Sequence, residues 1–215
     1  MSGLWLIGLL PGVAGASTWT VDPSDPSAIP DIGSAILSAV SGDRVEIVAG
    51  TYSECLDTGG KDLEFEGLGG SGSVRVEGIG DCESALIVQG GETVTLTGLS
   101  LHHDAGRGLE ISASEVSLVD VEISDSGSET IDGGGIYQAG GSLWAQDLVL
   151  SGNWADRGGN LLMTDGAEAE LIDCRIDQGQ ATRGAGVFIL DGTGGSGDLI
   201  LDACAVETNQ SVSDG

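Results

Sequence analysis

From His102 to Arg107 the chain reads HHDAGR, its densest run of acid, base and metal-ligating side chains. Imidazoles beside a carboxylate and a guanidinium can move protons or hold a metal ion. Such chemistry needs partners that converge from elsewhere in the fold. The later polar stretch SDSGSETIDGG, Ser124 to Gly134, offers carboxylates and hydroxyls but no second base. His102, His103, Asp104 and Arg107 therefore read first as a polar turn and only second as catalytic candidates. Asp120, Asp147 and Asp173 recur at spacings of 27 and 26 residues. If they stack, their carboxylates repel unless they are solvated, bonded to backbone N–H groups or bridged by a cation. Each is expected to cap its own turn. Ca²⁺ bridging is the alternative, although the sequence departs from the GGxGxDxUx nonapeptide of Ca²⁺-loaded repeats. No other cofactor is expected. Trp144 and Trp154 are the aromatic candidates for stacking on a sugar.

The elements that would position these residues repeat. One apolar run recurs as VTLTGLSL from Val94, VSLVDVEI from Val116, LWAQDLVL from Leu143, AELIDCRI from Ala169 and LILDACAV from Leu199. Its matched residues Leu96, Leu118, Ala145, Leu171 and Leu201 lie 22, 27, 26 and 30 residues apart. A second strand precedes each copy, with Leu86, Leu109, Ile136, Leu161 and Val187 as its matched positions. Several short strands in a period near 26 residues specify a solenoid whose coils stack through parallel ladders. Leu148, Cys174 and Cys204 share one inward position, Leu150, Ile176 and Val206 the next, and Val149, Arg175 and Ala205 point out between them. Glycine clusters at Gly133–Gly135, Gly158–Gly159 and Gly184–Gly186 precede inward strands and are expected to turn the corners. Because Cys174 and Cys204 match on adjacent coils, they are within disulfide reach, with an unoxidised core pair as the alternative. Cys55 and Cys82, about one coil apart, are expected to form the other disulfide. Before the repeats, Ile32, Ala35, Ile36, Ala39 and Val40 have helical spacing behind Asp31 as N-cap.

Composition narrows the partners. The formal net charge of −27 would repel nucleic acid and anionic membranes. With 38 glycines and 40 % hydrophobic residues, the chain is neither disordered nor collagen-like. Leu4 to Val13 followed by Ala14-Gly15-Ala16 reads as a signal peptide over residues 1–16, although no Lys or Arg precedes it. No later segment is long enough to span a membrane as a helix, so the expectation is a soluble, exported chain. Residues 17–43 would form a cap region with the short helix, and 44–215 the solenoid. Asp214-Gly215 stands where another glycine corner would begin, which predicts a chain truncated at its C-terminus.

Two features resemble known proteins. The segment Ile32 to Gly69, IGSAILSAVSGDRVEIVAGTYSECLDTGGKDLEFEGLG, is similar to the opening of right-handed parallel β-helix proteins of the pectin-lyase-like superfamily. From Gly133 onward, GGGI (Gly133–Ile136) and LSGN (Leu150–Asn153) resemble the repeats of polymorphic outer-membrane proteins, with Leu in place of Phe. Later copies drift to GGNL, GAGV and IDQG. The resemblance implies an all-β, right-handed parallel β-helix with an N-terminal capping helix, secreted or held at the cell surface in association with an outer membrane. The superfamily includes pectate lyases, polygalacturonases and pectin methylesterases. GTYSE (Gly50–Glu54) matches the opening of the esterases, but their later aspartate motifs and Arg-Pro-Trp motif are not seen, and the NTD, DD, GHG and RIK elements of polygalacturonases are also missing. The expected function is a non-catalytic scaffold that presents a surface for binding or adhesion, to an extracellular glycan or a cell-surface protein. The alternative is a lyase or hydrolase acting on uronate-type glycans.

Overall fold

The computed structural model describes residues 15–192, 194–195 and 197–211. The expected leader, apart from its last two residues, and the Asp214-Gly215 corner lie outside them. The described chain winds into a parallel β-solenoid of about seven turns with one short helix.

Matched residues stack as the repeats require. Trp19, Val45, Phe65, Leu96, Leu118, Ala145, Leu171 and Leu201 pair in register along one sheet. Leu56, Leu86, Leu109, Ile136, Leu161 and Val187 form the matching column of a six-stranded sheet. A three-stranded sheet of Trp154–Arg157, Gln180–Arg183 and Gln210–Ser211 covers a third side of the later coils. Apolar columns from the first two sheets meet along the axis and form one continuous core. Alternate side chains in the strands face out.

Each coil changes direction at residues in the left-handed region. Gly98, Asp120, Asp147, Asp173 and Ala203 share one corner, with φ between 51° and 67°. Aspartate tolerates this conformation better than most side chains, so the recurrence of aspartate has a backbone cause. The glycine clusters turn a second corner. Gly133, Gly158 and Gly184 have φ of 66°, 64° and 60°. A Cβ at Gly158 would also lie 2.6 Å from the Leu161 carbonyl oxygen and 2.7 Å from Leu162 Cβ. Conformation and crowding both demand glycine there.

Polar groups inside the solenoid form a ladder across the coils. Asn153 Oδ1 accepts from Ser126 N at 2.9 Å, and Asn153 Nδ2 donates to Asn160 Oδ1 at 2.8 Å. Asn160 Nδ2 donates in turn to Asn209 Oδ1 at 2.9 Å. Two inward positions face each other in each of these coils, and one holds Asn while the other holds Gly. Asn153 faces Gly135, Asn160 faces Gly179, and Asn209 faces Gly186. Only one amide fits in each coil, and the ladder continues by changing sides.

The N-terminal region carries more than a helix. Thr18–Val21 is a strand paired with Asp43–Ile47 and so begins the sheet within the expected cap region. The helix spans Ile32–Ser38 with Asp31 as N-cap, two residues shorter at its end than the periodicity suggests. Glu54 accepts from Ile32 N at 3.0 Å and Gly33 N at 2.8 Å, and Tyr52 donates its hydroxyl proton to the Val48 carbonyl. GTYSE is thus a docking element: Tyr52 packs inward and Glu54 holds the helix N-terminus. Both disulfides form, Cys55–Cys82 and Cys174–Cys204, each joining neighbouring coils.

Candidate functional site

The structure divides the HHDAGR run. His103 is 2 % exposed. Its Nδ1 accepts from Gly106 N at 3.1 Å and Ala105 N at 3.3 Å, so Nε2 carries the proton and donates to the Cys82 carbonyl at 2.8 Å. The ring clamps one loop to its neighbour. His102 Nδ1 lies 2.9 Å from the Ser124 carbonyl oxygen and Nε2 lies 2.8 Å from Asp104 Oδ1. The Asp104 side chain stands in solvent. Arg107 departs from all three. It begins the strand Arg107–Ser112 of the six-stranded sheet, where its Nη1 donates to Glu110 Oε2 at 3.2 Å and its Nε to the Asp132 carbonyl at 2.9 Å.

The outer face of that sheet holds a cluster which the sequence did not reveal. Glu110 also accepts from Ser84 Oγ at 2.9 Å, and the Arg107 guanidinium stacks 4.6 Å above the Tyr137 ring. Nearby, Arg157 Nε donates to Asp132 Oδ1 at 2.8 Å, and the Asp132 carboxylate holds the guanidinium above its ordinary pKa. Tyr137 stands opposite Glu110 on the next coil, and Ile87 opposite it on the coil before. The signal was in the register: once Leu109 aligns with Ile136, Glu110 must align with Tyr137.

The aspartate column does not converge. The Asp120 carboxylate accepts from Ser71 Oγ at 3.0 Å and Ser71 N at 3.2 Å. It therefore ties down a distant loop instead of capping its own turn. Asp147 and Asp173 are exposed at equivalent corners. Among the described residues, no group of three His, Cys, Asp or Glu side chains is placed to hold a metal ion.

The two tryptophans lie on different sides. Trp154 is 42 % exposed on the three-stranded sheet. Trp144 sits half-buried in a groove of about 420 Å³, on the strand Ser142–Ser151. Its outward column reads Glu64, Thr95, Ser117, Trp144, Glu170 and Ile200. The edge of the groove is formed by Thr93, Glu115, Ser142, Glu168 and Asp198. A second depression of about 220 Å³ adjoins it through Thr93 and continues over Asp62 and Glu64. The result is a trough that crosses successive coils, rich in hydroxyls and carboxylates around one aromatic ring. Among the described residues no helix is long and apolar enough to cross a membrane.

No protein-family model matches the chain, and no curated protein sequence is significantly similar to it. Solved structures are similar in shape. The pectin methylesterase from carrot superposes with a TM-score of 0.59 at 14 % identity, covering 77 % of this chain and 53 % of its own. The pectin methylesterase PemA from Erwinia chrysanthemi gives 0.52 at 15 % identity, covering 74 % of this chain and 55 % of its own. The chain thus spans about half the length of these two enzymes. The deglycosylated pectin methylesterase from Aspergillus niger gives 0.53 at 12 % identity, covering 94 % of this chain and 89 % of its own. At such identities the likeness concerns the backbone. The chain has the right-handed parallel β-helix fold of the pectin-lyase type.

Proposed function

We propose that this β-helix binds an extended glycan along the Trp144 trough and does so without cleaving it. The observation that carries the reading is Trp144 itself, an aromatic ring in a groove that also presents the hydroxyls of Thr93, Ser117 and Ser142, four carboxylates and apolar residues such as Ile200. A flat ring offers apolar contact to the C–H face of a sugar while the hydroxyls and carboxylates accept or donate to its edges. Stacked coils repeat these groups every ~4.8 Å, which suits a polymer more than a single small molecule. Glu115, Glu168, Glu170 and Asp198 surround the ring, so a neutral glycan is favoured over a uronate chain, whose carboxylates would be repelled. The scaffold would present this surface outside the cytosol, where the two disulfides persist. Binding of neutral and uronate oligosaccharides, measured by calorimetry or on a glycan array, tests the reading. Trp144→Ala should weaken binding of the preferred glycan by at least about tenfold, the loss of ~1.4 kcal/mol of contact. Equal binding by the variant would refute it.

A second reading rests on the Arg107–Glu110–Ser84 cluster beside Tyr137. A carboxylate oriented by an arginine is the kind of group that a polysaccharide-active enzyme uses. Assays on neutral and uronate polymers, with and without Ca²⁺, distinguish the two: turnover lost in Glu110→Gln would support an enzyme and displace the binding-only reading.

A further inference from the structure

The Cys55–Cys82 disulfide differs from its counterpart in its surroundings. Cys55 is exposed, whereas Cys82 is half-buried and borders a cavity of about 350 Å³ shared with Asp81, Glu83, Gly106 and Arg107. Buried His103 places Nε2 3.2 Å from Cys82 Sγ. Two backbone N–H groups occupy Nδ1, so the ring is held with its N–H directed at Cys82. The Ile79 carbonyl oxygen lies 3.2 Å from both sulfurs. Cys174–Cys204 has no imidazole beside it among the described contacts.

We propose that Cys55–Cys82 is a thiol-exchange site, attacked at Cys55 and opened with Cys82 as the leaving group. Exchange is fastest when the attacked sulfur is accessible and the departing thiolate is stabilised. An incoming thiolate bonds to Cys55 Sγ, the S–S bond breaks, and its electron pair departs on Cys82 Sγ. The His103 Nε2–H, which the Cys82 carbonyl otherwise holds, is then available to the thiolate until solvent protonates it. A second thiolate then attacks the small-molecule sulfur of the mixed disulfide, Cys55 Sγ departs as a thiolate that solvent protonates, and the small-molecule disulfide is released. Two thiols are oxidised and one protein disulfide is reduced. The two protein thiols then have the Ile79 carbonyl as an acceptor. Asp81 and Glu83 flank Cys82 in the chain, so a small thiol of neutral or positive charge approaches the disulfide with the least repulsion. Opening the bond unties the loop around Cys82 from the coil that carries Cys55, beside Arg107.

The test treats the full chain with cysteamine, quenches in acid at intervals, and maps adducts by peptide mass spectrometry. The expected first product is a cysteamine adduct on Cys55 with Cys82 free. In His103→Gln that step should slow by about tenfold, while opening of Cys174–Cys204 in the same molecule keeps its rate. An adduct that appears first on Cys82, or equally on both, overturns the proposal, and so does an unchanged rate in a folded variant. If the variant fails to fold, the position of the adduct on the native chain still decides.

Discussion

At the scale of single residues, what repeats is backbone conformation more than chemistry. Asp147 and Gly158 both occupy left-handed corners, but they differ in their surroundings. The Asp147 side chain is exposed, so Asp147→Gly should change stability by less than about 0.5 kcal/mol, while Asp147→Val should cost about 1–2 kcal/mol through its branched Cβ. Gly158→Ala meets the Leu161 carbonyl and Leu162 as well as an unfavourable φ. It should cost at least about 2 kcal/mol. Urea unfolding followed by circular dichroism ranks the three. A large loss in Asp147→Gly would mean that its carboxylate has a role, and Ca²⁺ titration of the wild type would then be the next measurement. The aspartates were visible in the sequence as a period. Their role was not, because a left-handed corner and a cation bridge select the same residue type.

At the scale of elements, the alternation of apolar residues gave the strands, and the pairing register followed from it. Leu86, Leu109, Ile136, Leu161 and Val187 align in the structure as the spacing predicts. The asparagine ladder was only half legible. LSGN marks Asn153, but Asn160 stands before a different strand, and nothing local says that it fills the space left by Gly179. The ladder predicts a large cost for Asn160→Leu. Asn153 Nδ2, the Asp177 carbonyl and Asn209 Oδ1 would each lose a buried partner. Each keeps one other bond, to Ile123 O, from Gly152 N and from Gly179 N respectively, so the cost is about 0.5–1.5 kcal/mol for each bond lost, and the unfolding midpoint should fall. Hydrogen exchange should then be faster in the last two coils than around Leu96, and uniform exchange would contradict a local role for the ladder. The GTYSE element shows the opposite case. Its sequence resembles an esterase opening, while its side chains dock the cap helix.

At the scale of the whole molecule, the charge of −27 and the individual carboxylates act in opposite directions as pH falls. Screening or partial neutralisation relieves self-repulsion, so added salt at pH 7 should raise the melting temperature. Asp43 opposes this at lower pH. It accepts from Trp19 Nε1 at 2.9 Å, Val40 N at 3.0 Å and Ser17 N at 2.7 Å, and these bonds hold its carboxyl below the ordinary value of 3.8. A depressed folded-state pKa means that the stabilisation is complete above the unfolded value and is lost as pH falls through the folded one. The melting temperature should therefore pass through a mildly acidic maximum and then drop. Asp43→Asn should lower it at neutral pH and flatten the acid limb. An acid limb of unchanged slope would remove Asp43 from the account.

By itself the sequence determined the solenoid, its period and the inward columns, and it matched the cysteines in pairs. These depend on spacing along the chain, which alternation and coil length record directly. That Cys174 and Cys204 are joined rather than an unoxidised core pair was decided by the structure. Only the tertiary structure decided which surfaces exist. It separated Arg107 from His102 and His103, joined it to Glu110 on its own strand and to Tyr137 on the next coil, and placed Trp144 in a trough and Trp154 on another face. Those neighbours are set by stacking between coils, where residues about 26 positions apart meet, and a linear reading shows such contacts only after the register is known.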